Sequence, residues 1–180
     1  MNDSAANHRI ELAQMSDFEA AKQLLDRAND YALAQSGSHS WTAMDHVHAN
    51  LLKTIKEDRF YIIKNDEGEI VASISFDNKR RQWKKAGFEK VEALYFYKWM
   101  KNPAVVVADE PKRLLRFVAE QAKLQDKKYL RCDTIAELSE LVNYYKRLGF
   151  REMGSFMYDS SKRPGVLLQA DVDEVLAKLA

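Results

Sequence analysis

The chain has one cysteine, Cys132, in 180 residues, which excludes a disulfide framework within the chain and the small stapled folds that depend on one. Proline and glycine are also scarce, at three and six residues. No Pro/Gly/Ser-rich tract marks a linker, and no internal repeat or low-complexity stretch is present. Neither charge sign dominates: 28 lysines and arginines stand against 27 aspartates and glutamates, a formal charge of +1. That balance gives no global pull toward nucleic acid, an anionic membrane or an acidic substrate. Charged residues interrupt every apolar stretch well short of the roughly 20 residues a membrane helix needs. The polar residues 1–8 contain no apolar segment resembling a secretory signal. These absences predict a soluble cytoplasmic protein with no membrane partner.

What is present suffices for one core. A hydrophobic content of 46% over 180 residues predicts a single domain spanning 1–180, with residues 1–8 disordered. Alternation over 9–13 predicts a short strand, and Ser16, Asp17, Phe18 and Glu19 read as a capping box opening a helix. Phe18, Ala21, Leu25, Ala28 and Ala32 give that helix its inward face until residues 36–38 stop it. A second helix is expected over 45–57, then a hairpin of 60–63 and 70–76 turning at 65–68. The aromatic run 91–100 reads as a buried strand, with Asn102 and Pro103 bending the chain before 105–108. A helix from Pro111 presents Leu114, Leu115, Val118, Ala119 and Ala122, and 129–134 follows as a strand. A long helix then puts Leu138, Leu141, Tyr145 and Leu148 on one stripe and stops at Gly149. Strands 150–156 and 166–169 and a short helix over 172–179 complete the series. The order predicts an α/β (α+β) fold: a mixed, mostly antiparallel central sheet of about seven strands flanked by helices.

Three phrases stand in fixed order: Lys-Arg-Leu-Leu at 112–115, Lys-Lys-Tyr-Leu-Arg-Cys-Asp-Thr at 127–134 and Tyr-Tyr-Lys-Arg-Leu-Gly-Phe at 144–150. Together they resemble the GNAT N-acetyltransferases, across roughly the last half of the chain. Trp41 resembles a tryptophan that follows the first helix in one GNAT subgroup. Specificity lies in the spacing of the three phrases, because a helix ending in Gly-Phe is common.

The resemblance implies an acyl-CoA N-acyltransferase-like fold that moves an acetyl group from acetyl-CoA, as co-substrate, to the amine of a small molecule or polypeptide. Such transfer needs the amine to lose a proton while the departing thiolate gains one. By the family pattern the acid falls on Tyr145, which on helical spacing alone reads equally as a core residue. Tyr144, about a hundred degrees around the helix, is expected to face elsewhere. Glu92 is the candidate base and Tyr97 a candidate proton relay, both on the expected fourth strand. The resemblance places the cofactor against Trp99, Met100 and Lys101, and its pyrophosphate against Val106, Val107, Ala108, Asp109, Lys112 and Arg113, with Leu138 beside it.

The family's pyrophosphate loop, R-x-x-G-x-G/A, has no counterpart here: Val106, Val107, Ala108, Asp109, Glu110 and Pro111 occupy its positions. Pro111 lacks an amide donor, Asp109 suits a helix cap, and Glu110 puts a negative charge at the positive helix end. Two like unit charges about 4 Å apart repel by roughly 1 kcal/mol in water and about 4 at an effective dielectric of 20. Leu138 stands where relatives often carry an asparagine. These departures support an alternative, a catalytically impaired GNAT-like binding or regulatory module.

Lys79, Arg80, Arg81, Trp83, Lys84 and Lys85 form the strongest basic cluster, read as a solvated hairpin loop rather than a nucleic-acid site. His39, His46 and His48 match no metal-ligand spacing, so no metal is expected. Cys132 reads as a buried strand residue. Trp99, Phe96 and Phe156 would form an exposed apolar patch suited to a homodimer if their strands lie at a sheet edge.

Overall fold

The computed structural model describes residues 8–88, 91–105, 108–159 and 161–180. Strand β1 (Ile10–Leu12) leads through a 3-10 turn into α1 (Phe18–Ser36), followed by α2 (Met44–Lys56) and the hairpin β2 (Phe60–Lys64) and β3 (Ile70–Asp77). A short helix α3 (Arg81–Lys85) precedes β4 (Ala93–Lys101). Then come α4 (Glu110–Leu124), β5 (Tyr129–Ile135), α5 (Ser139–Arg147), β6 (Arg151–Met157), β7 (Pro164–Asp171) and α6 (Val172–Lys178). The strands form one seven-stranded sheet in the order β1-β2-β3-β4-β5-β7-β6. Among the described residues only β4 and β5 pair in parallel. That pair is joined through α4, the crossover a parallel connection requires.

The sheet separates two cores because side chains alternate along each strand. On one face α4 lays down Leu114, Leu115, Val118, Ala119 and Ala122 against Ile74, Leu94 and Phe96. Burying each of those leucines contributes about 1.5–3 kcal/mol. On the other face α1 and α2 cover Phe60, Ile62 and Met100, while Trp83 of α3 packs with Tyr95 and Leu167.

Several expectations need correction. The cap before α1 is not Ser16, which lies inside the 3-10 turn; the Gln14 amide donates to Asp17 Oδ2 at 2.8 Å. Gly37 ends α1 in a left-handed conformation (φ 71°), and its amide donates to Leu33 O at 2.8 Å. The helix of the third phrase has nine residues rather than many, and Leu138 precedes it. The basic segment is not a solvated loop: it holds α3, whose Trp83 is fully buried with the Arg131 guanidinium 4.2 Å from its ring centre. The apolar patch also fails, because β4 is the central strand and Phe96 is buried. The sheet ends instead at β6, where Met153 and Met157 are exposed. Residues 1–7 lie outside the described residues, whereas His8 is placed and its carbonyl accepts from Arg113 at 2.7 Å. Among the described residues no helix is long and apolar enough to cross a membrane.

Candidate functional site

β4 and β5 pair only at Ala93–Tyr129, Leu94–Leu130 and Tyr95–Arg131. Beyond Tyr95, β4 continues to Lys101 paired with β3 alone, and β5 continues to Ile135 paired with β7 alone. The sheet therefore opens into a wedge between two strands that end without each other's hydrogen bonds. Backbone groups on the open side of β4 are left for a ligand.

A bulge shapes the wedge. Ser73 pairs with Met100 and Ser75 with Tyr97, so Ile74 of β3 faces both Lys98 and Trp99 of β4. Lys98 takes a left-handed conformation (φ 50°), which costs an L-residue roughly 1–2 kcal/mol. The extra residue reverses the alternation downstream. Trp99 consequently joins Phe96 on the α4 face, and Met100 turns with Tyr97 toward the other face.

On the α4 side, Tyr145 of α5 lies over the wedge with ring contacts to Phe96 at 6.0 Å, Trp99 at 5.7 Å and Phe150 at 5.5 Å. Its hydroxyl bonds to Cys132 on β5. Burial pushes the Tyr145 phenol well above its ordinary value, reinforced by nearby Cys132 and Asp133, so it keeps its proton. Burial likewise pushes the Cys132 thiol well up, which leaves it neutral and unreactive. Tyr144 does not face elsewhere: it stacks on Trp99 at 5.7 Å and 25°. Arg147 lies 5.6 Å from the Tyr144 ring centre, and Lys112 also acts on it electrostatically.

At the start of α4 the chain serves itself. Ala108 N–H donates to Glu110 Oε2 at 2.9 Å, Glu110 Oε1 lies 3.3 Å from His8 Nδ1, and Trp99 Nε1 donates to Pro111 O at 2.7 Å. Asp109 occupies the cap position without a side-chain capping bond and instead pairs with Lys112 at 3.5 Å. Acid groups thus stand at the start of α4.

The opposite side of the wedge is polar. Asp133 of β5, its side chain 2% exposed, accepts from Arg80 Nε at 3.0 Å and from the Tyr158 hydroxyl at 2.8 Å. The Arg80 guanidinium lies 4.6 Å from the Tyr97 ring centre. Arg59 pairs with Asp77 and Glu57 and donates to the Tyr97 hydroxyl at 3.2 Å. Lys98 reaches across Tyr97, its Nζ 4.8 Å from the ring centre, and donates to Asn50 Oδ1 of α2 at 2.5 Å. Ser75, the cross-strand partner of Tyr97, is fully buried, and its hydroxyl has no partner among the described residues.

No protein-family model matches the chain, and no curated protein matches it in sequence. Solved structures do. A GNAT-family acetyltransferase from Listeria monocytogenes superposes with a TM-score of 0.71 at 17% identity, covering 95% of this chain and 98% of that one. A Salmonella typhimurium protein described as an acetyltransferase, solved with its cofactor acetyl-CoA, gives 0.59 at 15% identity over 93% and 95%. A ribosomal-protein-alanine N-acetyltransferase from Brucella melitensis gives 0.60 at 16% identity over 91% and 99%. The chain has the GNAT fold.

Within the GNAT frame the residues expected from sequence separate into groups. Tyr145 and Trp99 meet at the wedge, with Tyr97 on its far side. Met100 is buried against α1 and α2, and Lys101 is exposed, its Nζ 5.7 Å from the Tyr31 ring centre. Ala108, Asp109, Lys112 and Arg113 gather at the start of α4, whereas Val106 and Val107 lie outside the described residues. Leu138 is buried immediately before α5. Glu92 is placed elsewhere: it precedes β4 at the closed end of the wedge, exposed and 3.7 Å from Lys128. Sequence reasoning gave no role to Lys98, Asp133 or Tyr158 and weighed Arg80 only as part of the basic cluster. Only the Arg-Cys-Asp-Thr phrase singled out Asp133, and nothing in the sequence signals the bulge that aims Lys98.

Proposed function

We propose that the protein is an N-acetyltransferase, moving an acetyl group from acetyl-CoA to the amine of a small molecule or polypeptide, with Tyr145 as the proton donor to sulfur. The observation that carries this reading is the wedge between β4 and β5 with Tyr145 over it. Acetyl-CoA supplies the activated acyl thioester. The open backbone of β4 at Trp99, Met100 and Lys101 suits its amide-bearing arm, and Lys112 and Arg147 suit its phosphates through side-chain charge in place of backbone amides. Tyr145 holds its proton because burial disfavours the phenolate, and it donates toward sulfur as negative charge develops there.

Two measurements test this. Calorimetric titration of acetyl-CoA at low and moderate salt is expected to give micromolar binding. Release of free thiol is then followed with spermidine, tyramine and the dipeptide Ala-Gly as amine probes. Tyr145→Phe is expected to lower kcat by about 10²- to 10⁴-fold with acetyl-CoA affinity unchanged; full turnover in that variant removes the role from Tyr145. A second reading, a GNAT-fold module that has lost cofactor use, is favoured by Asp109 and Glu110 at the start of α4. No heat and no thermal shift at millimolar acetyl-CoA would establish it over the enzyme.

A further inference from the structure

The wedge has two faces, and the transfer chemistry needs both. On one face Tyr145 can serve the sulfur; the proton leaving the acceptor amine needs a base on the other. Glu92 is not there, since it sits at the closed end of the wedge paired with Lys128. The carboxylates that are there are engaged: Asp133 is held by Arg80 and Tyr158, and Asp77 by Arg59. We propose that Lys98, aimed by the β4 bulge into the polar basin across from Tyr145, is the general base that takes the proton of the acceptor amine. The proposal rests on the acetyltransferase reading above.

Three features of the basin support it. First, Lys98 occupies the bulge itself in a left-handed conformation, a strained placement held where the strands part. Second, its Nζ donates to the neutral Oδ1 of Asn50 on α2, a group that orients an amine without keeping it charged. Third, the fully buried Ser75 hydroxyl beneath Tyr97 has no partner among the described residues, as expected of a site that a polar ligand completes.

The surrounding charges decide the protonation state. Arg59 stands ahead of β2 and Arg80 ahead of α3, each paired with a carboxylate, while Glu57, Asp77 and Asp133 supply those carboxylates. Tyr97 and Tyr158 face the same space from β4 and from the end of β6, and α2 contributes the uncharged Asn50. Burial, then repulsion by Arg80 and Arg59, lowers the Lys98 ammonium to about 7, so at neutral pH a large fraction is a free amine.

The step balances without a further reactant. The ammonium of the acceptor passes one proton to the Lys98 Nζ lone pair. The freed nitrogen lone pair forms the C–N bond as the C–S bond breaks, Tyr145 donates its proton to the departing sulfur, and the second proton shed by the acylated nitrogen returns through solvent to the Tyr145 phenolate. Lys98 then returns its proton to solvent.

The test compares wild type, Lys98→Met and Lys98→Arg with acetyl-CoA and whichever of spermidine, tyramine and Ala-Gly turns over, from pH 6 to 10. Wild-type kcat/KM is expected to rise through about pH 7 and then level. Both variants should lose about 10²- to 10⁴-fold in kcat while binding acetyl-CoA with unchanged affinity, and both should lose the inflection near 7. Rescue by Lys98→Arg would overturn the proposal, since it would show that charge or packing, rather than proton transfer, is needed. Wild-type-like rates in Lys98→Met would overturn it while leaving the acetyltransferase reading intact; absence of wild-type turnover with all three probes, together with absence of acetyl-CoA binding, overturns both. Independently of activity, NMR titration of lysine-labelled protein should show one lysine with a midpoint near 7 that vanishes in Lys98→Met; a midpoint near 10 for Lys98 would also overturn it.

Discussion

Lys98 has a consequence for stability separate from its proposed chemistry. Its ammonium titrates near 7 in the fold against 10.5 in an unfolded chain. Between those values the unfolded chain binds the extra proton, so stability rises with pH across that window. Below about 7 the buried charge penalises the fold in full. Lys98→Met is therefore expected to raise Tm by a few degrees at pH 6, and the gain should shrink toward zero by about pH 10.5; thermal melts at several pH values check this. Gly149 is a second residue whose identity is forced. It sits at φ 95°, and a Cβ there would come within 2.8 Å of the Glu174 side chain. Gly149→Ala should destabilise by more than about 1 kcal/mol, read as a lower urea midpoint at unchanged slope.

Among the elements, α4 carries two opposed tasks. Its inward stripe holds the core on one face of the sheet, so Leu114→Ala, at a fully buried position, is expected to cost about 2–5 kcal/mol in urea unfolding. Its N-terminus meets the wedge through the Trp99–Pro111 bond but presents Asp109 and Glu110 there. Neutralising Glu110 removes repulsion toward a phosphate at this helix end, so Glu110→Gln should tighten acetyl-CoA binding several-fold, most at low salt. Equal affinity in calorimetry would show that the pyrophosphate does not approach α4. The stripe was legible because its five residues recur at helical spacing along one segment. The His8 contact at the N-terminus of α4 was not, because it depends on where the chain brings residue 8.

For the whole molecule, the seven-stranded order with a single parallel pair creates the wedge, because β5 leaves β4 to follow β7 along its full length. A ligand seated there contacts both cores of the sheet and should stabilise the fold globally. At a hundred times its Kd, acetyl-CoA is expected to add about 2.7 kcal/mol, roughly 5–10 °C in Tm for a domain of this size. No shift at that concentration would argue against binding to the native state.

Apart from α3 and the length of α5, the element types, their order and the α4 core stripe follow from the sequence alone, since hydrophobic periodicity and the Gly37 and Gly149 stops act over a few neighbouring residues. The expectation for Tyr145 came from a local phrase as well, and the structure places that side chain over the wedge. What tertiary structure decided is non-local. The bulge opposite Ile74 turns Trp99 to one face and Met100 to the other, and Tyr144 returns to the site by stacking on Trp99. Trp83 becomes buried against Arg131, and Glu92 falls at the closed end of the wedge. Each of these depends on strand register, and register is set by pairing between segments that share no neighbouring sequence.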